Sequence, residues 1–207
     1  MIEPDRQAHW DHVYEDKAPT AVSWYQPTPK PSLLALTRVG AMSTSSFIDV
    51  GGGASNLVDA LLAQGWQDVT VLDIAAPALD AAKSRLGPLA GKVDWVAADI
   101  TEWEPHRKFD VWHDRAVFHF LTEQQQREAY LRALSQGTAK DSHVIIATFA
   151  LDGPDKCSGL PVQRYDAAGL VQQLGDGFQL IKDWREEHVT PWGATQSFTW
   201  CAFRRVR

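Results

Sequence analysis

The sequence predicts an α/β protein, a doubly wound and mostly parallel seven-stranded sheet with a C-terminal antiparallel hairpin and an N-terminal lid. Three observations point there. Short apolar runs alternate with segments of helical period from residue 46 onward. A glycine triplet, Gly51-Gly52-Gly53, stands between the first such run and the first helix of the alternation. The last two β-like segments follow one another with no helix between them.

Residues 1–31 form an arm ending in PTPKPS (27–32), where three prolines in five residues break regular structure. With the core, 32–207, it makes one domain, a length that suits a single large core. SLLAL (32–36) opens a short apolar helix. The first strand is 47–50 (FIDV). Leu57, Val58, Leu61 and Leu62 then recur at helical spacing, and Gly65 stands where a helix C-terminus expects it. The second strand, 69–72 (VTVL), ends in Asp73. Pro77 suits the first turn of a helix running to about Leu86, before Gly87-Pro88. The third strand is 93–96, closing in Ala98-Asp99, and the fourth is 109–112 (FDVW). Residues 122–125 (TEQQ) have the form of a capping box and open a helix through Leu134. The fifth strand is 143–149 (HVIIATF), and Asp166 caps a helix reaching Leu174. The last two β segments are 178–184 and 196–204, with REEHVTPWGA (185–194) as the hairpin loop.

Hydrophobic residues make up 44% and charged residues 22%, an ordinary balance for a soluble globular chain. The formal net charge of -6 repels a phosphate backbone, which argues against nucleic acid as a partner. No apolar run approaches the roughly 18 residues of a membrane span, and the polar N-terminus lacks a secretory signal. Cys157 and Cys201 have no CxxC spacing, so neither a disulfide framework nor a metal site is expected. A cytoplasmic location is the expectation. The sequence assigns no oligomeric state, and a monomer is compatible with it. Most of the nine tryptophans should lie in core or pocket wall, since their large apolar area drives burial.

In such sheets ligands bind at the carboxyl ends of the strands, so the residues just after each strand are the ones to interrogate. Gly51 and Gly53 allow a tight turn and a close backbone approach to a ligand, while the next helix points unpaired N–H groups at the same spot. Asp73 lies 20 residues after Gly53, where a carboxylate accepts both hydroxyls of a ribose. That geometry serves NAD and S-adenosylmethionine alike. The dinucleotide fingerprint wants a third glycine where this chain has Asn56. Asp49, two residues before the first glycine, would repel a pyrophosphate but suits a cationic amine or sulfonium ligand.

At this point the sequence, over roughly residues 46–150, resembles the class I S-adenosylmethionine-dependent methyltransferases. Residues 49–55 (DVGGGAS) look like that family's acidic glycine-rich loop, with Ser55 in place of the last glycine. The resemblance implies S-adenosyl-L-methionine as cofactor. It matches Asp73, followed by Ile74, to the ribose-binding acid, and Asp99 to the acid that meets the adenine amine, with Ile100 against the ring. Residues 109–115 (FDVWHDR) look like the fourth-strand motif bordering the transferred methyl, which brings Asp114 to the cofactor.

The arm carries Trp10, Tyr14, Lys17, Ser23, Trp24, Tyr25 and Gln26, aromatics without a helical core stripe. They either staple the arm to the sheet or form a lid, with Trp24 and Tyr25 over the cofactor's methionine part. A sulfonium against an aromatic face gains about 0.5–2 kcal/mol. HDRAVFHFL (113–121) supplies candidates for acceptor chemistry. His113, Asp114 and Arg115 follow the fourth strand, and a helical turn would put Arg115 and His119 on one face. His119 either accepts a proton as base, or only bonds backbone or packs against adenosine. Cys157 is a small buried hydrophobe or pocket lining. Arg164 and Tyr165 read the acceptor or anchor their loop, as do His188 and Trp192.

The reading is methyl transfer to a small-molecule acceptor by catalytic His119, Arg115 and Asp114. Trp24, Asp49, Gly51, Gly53, Asp73, Ile74, Asp99, Ile100 and Asp114 hold the cofactor, and Tyr25, His113, Arg164 and Tyr165 hold the substrate. A protein-lysine methyltransferase is the alternative within the class. A non-catalytic cofactor-binding or interaction module is the alternative outside it.

Overall fold

The computed structural model describes residues 6–207, so the first five residues of the expected arm lie outside the described residues. In chain order it consists of α1 (Arg6–Asp16), a 3-10 turn (Pro19–Ala21), α2 (Lys30–Arg38), β1 (Phe47–Val50), α3 (Leu57–Ala63), β2 (Val69–Asp73), α4 (Ala76–Leu86) and β3 (Val93–Ala97). Then come β4 (Phe109–Arg115), a 3-10 turn (Phe118–Phe120), α5 (Gln124–Gly137), β5 (Thr138–Phe149), the short pair β6 (Lys156–Cys157) and β7 (Leu160–Pro161), α6 (Ala167–Leu174), β8 (Phe178–Val189) and β9 (Thr195–Arg205).

Seven strands form one sheet in the order β3-β2-β1-β4-β5-β9-β8. β1 to β5 run parallel, and β9 is antiparallel to both of its neighbours. The order reverses between β1 and β4, which opens a crevice at the carboxyl ends of those strands. Every residue of β1 and β2 is buried, as expected for parallel strands covered on both faces. Phe47, Leu61, Val69, Leu79 and Val111 pack one face against α2, α3 and α4. Ile48, Leu72, Trp112, Tyr130 and Leu170 pack the other against α5 and α6.

Four details depart from the sequence reading. Pro31 does not break the chain: it sits in the first turn of α2, where the missing N–H costs nothing. The arm contains α1, which buries only Val13 fully and so lacks the apolar stripe that announces a helix. The capping box of α5 is shifted by one residue, with Glu123 and Gln126 as its reciprocal pair. Half of the expected hairpin loop, 185–189, is strand, leaving 190–194 as the turn. Glu186 and His188 point inward from β8 while Arg185, Glu187 and Val189 point out, and that period of two is masked because the inward residues are polar.

Candidate active site

The crevice holds a cavity of about 860 Å³, its open mouth included. At one end, past β2 and β3, it is lined by Asp73, Ile74, Asp99 and Ile100. At the other, on the β5 and β9 side, it is lined by Phe149, Cys157, Gln196 and Phe198. Trp10 and Tyr14, one turn apart on α1, roof it together with Trp24. The three rings interlock, with Trp10 5.7 Å and Tyr14 6.2 Å from Trp24, and Phe120 5.1 Å from Trp10. A smaller cavity lies along the glycine loop, lined by Tyr25, Gln26, Ser32, Asp49, Gly52, Asn56 and His113. Tyr14, Trp24, Gly51 and Arg115 line both cavities and form the partition between them.

The glycine loop folds back on β2, the Gly51 and Gly52 amides both donating to the Leu72 carbonyl. Gly51 and Gly53 have φ of +70° and +37°, a region in which a side chain is strained. Space is short as well. A Cβ on Gly51 would overlap Val117 Cγ2, and one on Gly53 would lie 2.6 Å from Asp73 Oδ2. The loop is thus built as a backbone cradle against the acid of β2.

Asp73 is buried, and its Oδ1 accepts from the Ala75 amide at 2.8 Å. Burial, with Asp49 nearby, pushes its carboxyl up to about 7. Such a group gains from hydroxyl donors. Asp99 is engaged on both oxygens: Oδ1 accepts from the amide and hydroxyl of Thr101, and Oδ2 pairs with Arg6 of α1 at 2.9 Å. Asp49 Oδ1 lies 2.7 Å from His113 Nδ1, and His113 Nε2 lies 3.0 Å from Ser32 Oγ. All three are buried.

His113, Asp114 and Arg115, expected to follow the fourth strand, lie within the end of β4. They are still strand, so they alternate: His113 and Arg115 turn to the cavities, Asp114 to the opposite core. Asp114 lies outside the walls of both cavities. Its carboxylate accepts from the Val117 amide at 2.8 Å, the Phe118 amide at 3.1 Å and the Tyr130 hydroxyl at 2.8 Å. Burial pushes it up to about 6. These bonds hold Ala116 at φ +73°, a strained conformation for alanine, and so fix where Arg115 points.

That left-handed residue also prevents the helical turn expected to align Arg115 with His119. His119 is fully buried in the 3-10 turn, outside both cavities, and its Nδ1 accepts from the Phe149 amide. Burial, with Arg115 nearby, lowers it to about 3, which keeps the ring neutral. Arg164 donates to the Gly153 carbonyl and anchors the loop. Tyr165 is buried against Phe118. Neither lines a cavity. Trp192 is exposed at the hairpin tip, and burial raises the Cys157 thiol to about 11.

Residues 23–26 (SWYQ) are tied down from several elements. His188 Nε2 lies 2.6 Å from the Ser23 carbonyl, Arg115 Nη1 donates to the Trp24 carbonyl, Asn56 to the Gln26 carbonyl, and Gln26 Nε2 to Glu186. Ser32, Glu186, Gln196 and Phe198 were not readable as site residues. The inward period of β8 and β9 is the one signal that could have found the last three.

Residues 47–140 match the model of a family described as a methyltransferase domain. No curated protein matches the sequence. Among solved structures of similar fold, one described by the conversion of a disulfide bond into a thioacetal group during echinomycin biosynthesis is 20% identical, with a TM-score of 0.77 over 97% of this chain and 93% of its own. The Burkholderia thailandensis 1,6-didemethyltoxoflavin-N1-methyltransferase, solved with 1,6-didemethyltoxoflavin and S-adenosylhomocysteine, is 19% identical, with a TM-score of 0.68 over 94% and 81%. The N-methyltransferase NodS from Bradyrhizobium japonicum WM9, in complex with S-adenosyl-l-homocysteine, is 15% identical, with a TM-score of 0.74 over 98% and 100%. Residues 47–140 thus match a methyltransferase domain, and the sheet order around them is that of the Rossmann-like methyltransferase fold shared with these structures.

Proposed function

We propose that the chain methylates a small molecule seated in the larger cavity. The observation that carries this reading is the cavity's layout: strand-end acids at one end and an apolar chamber at the other, under one aromatic roof. The toxoflavin enzyme, whose structure holds a small acceptor, supports it by analogy of fold.

The chain's residues suit S-adenosylmethionine by the cradle in which a Cβ at Gly51 or Gly53 has no room. Asp73 accepts from the ribose, and Asp99 takes the adenine amine in exchange for Arg6. Ile74 and Ile100 flank the base. Asp49, held by His113, accepts from the ammonium of the amino-acid part in the smaller cavity. When bound, the cofactor supplies an electrophilic methyl group, which an acceptor lone pair takes as the methyl–sulfur electron pair returns to sulfur. The described part of the arm, 6–31, acts as the lid: Tyr14 and Trp24 exclude water and give the sulfonium an aromatic face, with Tyr25 beside them. Arg115 orients the acceptor, and any proton on the nucleophile leaves to solvent. His119, Asp114, Arg164 and Tyr165 support these residues from behind.

The test is S-adenosylhomocysteine release over a panel of thiols, amines, carboxylic acids and metalloid oxyanions. Turnover with one of them, lost in Asp73→Ala, is the expected result. Label transferred only into lysate protein would replace this reading with protein-lysine methylation. Cofactor binding without turnover on any acceptor would favour a binding module.

A further inference from the structure

Resting on that small-molecule reading, we infer that the acceptor carries a carboxylate or a similarly flat oxyanion, gripped side-on by Arg115. The Arg115 side chain is only 11% exposed. Its Nη1 donates to the Trp24 carbonyl at 3.2 Å, and its guanidinium carbon lies 4.8 Å above the Phe198 ring. Its Nε and Nη2 are buried with no hydrogen-bond partner among the described residues. Those two nitrogens form one edge of the guanidinium, the edge whose parallel N–H bonds match a carboxylate.

The nearest acid does not fill that edge. Glu186 Oε1 is 3.7 Å from Nη2, beyond hydrogen-bond distance. The Glu186 oxygens are already used, Oε1 by Gln26 at 2.9 Å and Oε2 by the Trp200 indole at 2.6 Å. A buried cation with two unmet donors is costly, and an anionic ligand removes that cost. Gln196 Oε1, in the same cavity, is also buried and unpartnered among the described residues. It suits an acceptor that brings an O–H or N–H as well. Phe120, Phe149 and Phe198 enclose the rest, so the body of the molecule is apolar.

A carboxylate at this edge has two possible sources, since Arg115 borders both cavities and the cofactor has a carboxylate of its own. The stacking on Phe198, which lines only the larger cavity, puts the guanidinium on the acceptor side.

Calorimetry on the full chain saturated with S-adenosylhomocysteine separates the sources. The probes are benzoate, 3-phenylpropionate and 3-mercaptopropionate, each against its amide. We expect at least one acid to bind about tenfold or more tighter than its amide. In Arg115→Gln that preference disappears while S-adenosylhomocysteine affinity is kept; Arg115→Lys retains part of it. Amides binding as well as acids, or no acid binding at all, overturns the inference. So does an Arg115→Gln protein that loses S-adenosylhomocysteine but keeps 5′-methylthioadenosine, which lacks the amino-acid tail. Should that variant not fold, the acid–amide comparison in the native chain and in Arg115→Lys decides. The small-molecule reading fails separately, if methyl label enters lysate protein and no small acid, amide or thiol, and the inference then fails with it.

Discussion

Asp49 on β1 and His113 on β4 are register partners in adjacent parallel strands, with Oδ1 and Nδ1 2.7 Å apart. A carboxylate only accepts, so the imidazole proton sits on Nδ1 and Nε2 faces the Ser32 hydroxyl at 3.0 Å. The pair holds a buried carboxylate in one orientation at the wall of the smaller cavity. Replacing His113 by Phe should raise the Kd for S-adenosylmethionine about tenfold, as expected when an oriented acid loses its partner. The Kd for 5′-methylthioadenosine, which has no ammonium, should hardly change. Equal losses for both ligands would remove Asp49 from the amino-acid site.

The proposed ribose contact of Asp73 makes cofactor binding depend on pH. Its carboxyl is raised to about 7 in the fold by burial, from 3.8 in the free side chain. Between those values the folded protein keeps a proton that the unfolded chain has released, so the stability contributed is full below 3.8 and is lost as pH rises through 7. Ligand binding runs the other way, because ribose hydroxyls donate to the ionised carboxylate. Affinity should therefore rise with pH up to about 7, with proton release on binding. Titration calorimetry at about pH 6 in buffers of different ionisation enthalpy measures that release. A buffer-independent heat, or full affinity in Asp73→Asn, would contradict it.

Gly53→Ala probes the cradle with one methyl group. The backbone at φ +37° costs about 1 kcal/mol for alanine, and the new Cβ lies 2.6 Å from Asp73 Oδ2. The variant should fold, with a urea midpoint lowered to match, and should bind S-adenosylmethionine at least about tenfold more weakly because the ribose acid is displaced. Unchanged binding would mean that the loop does not approach the ligand.

The parts of this fold that were legible in the sequence are those where one physical cause acts alone. β1 and β2 are buried on both faces, so apolar runs mark them, and the acids that end β2 and follow β3 stand out by contrast. The glycine loop is legible because only glycine fits φ +70° against Val117. Other parts have two causes at once. The second half of β8, 185–189, is strand whose inward side chains, Glu186 and His188, tie down the arm, so it reads as polar loop. α1 gives its aromatics to the roof of a cavity instead of a core and shows no apolar stripe. β4 continues past its apolar run to Arg115, which divides three neighbouring polar residues between two faces.

His119 follows from the same turn. Its Nδ1 accepts from the Phe149 amide at 3.2 Å, which leaves the proton on Nε2. Burial and Arg115 hold it at about 3, against 6.5 for a free imidazole. The depressed value means that the stability it contributes is full above 6.5 and lost as pH falls through 3. The rate profile should therefore show no inflection from this ring near neutrality. His119→Ala removes the acceptor for a buried amide and opens a hole between Phe120 and Phe149, costing about 2–4 kcal/mol in urea unfolding. His119→Asn offers an oxygen to that amide and should recover part of the loss, with kcat in both variants near the native value below their melting temperatures. A His119→Ala protein of native stability with kcat down a hundredfold would instead make this imidazole a base that reaches the acceptor.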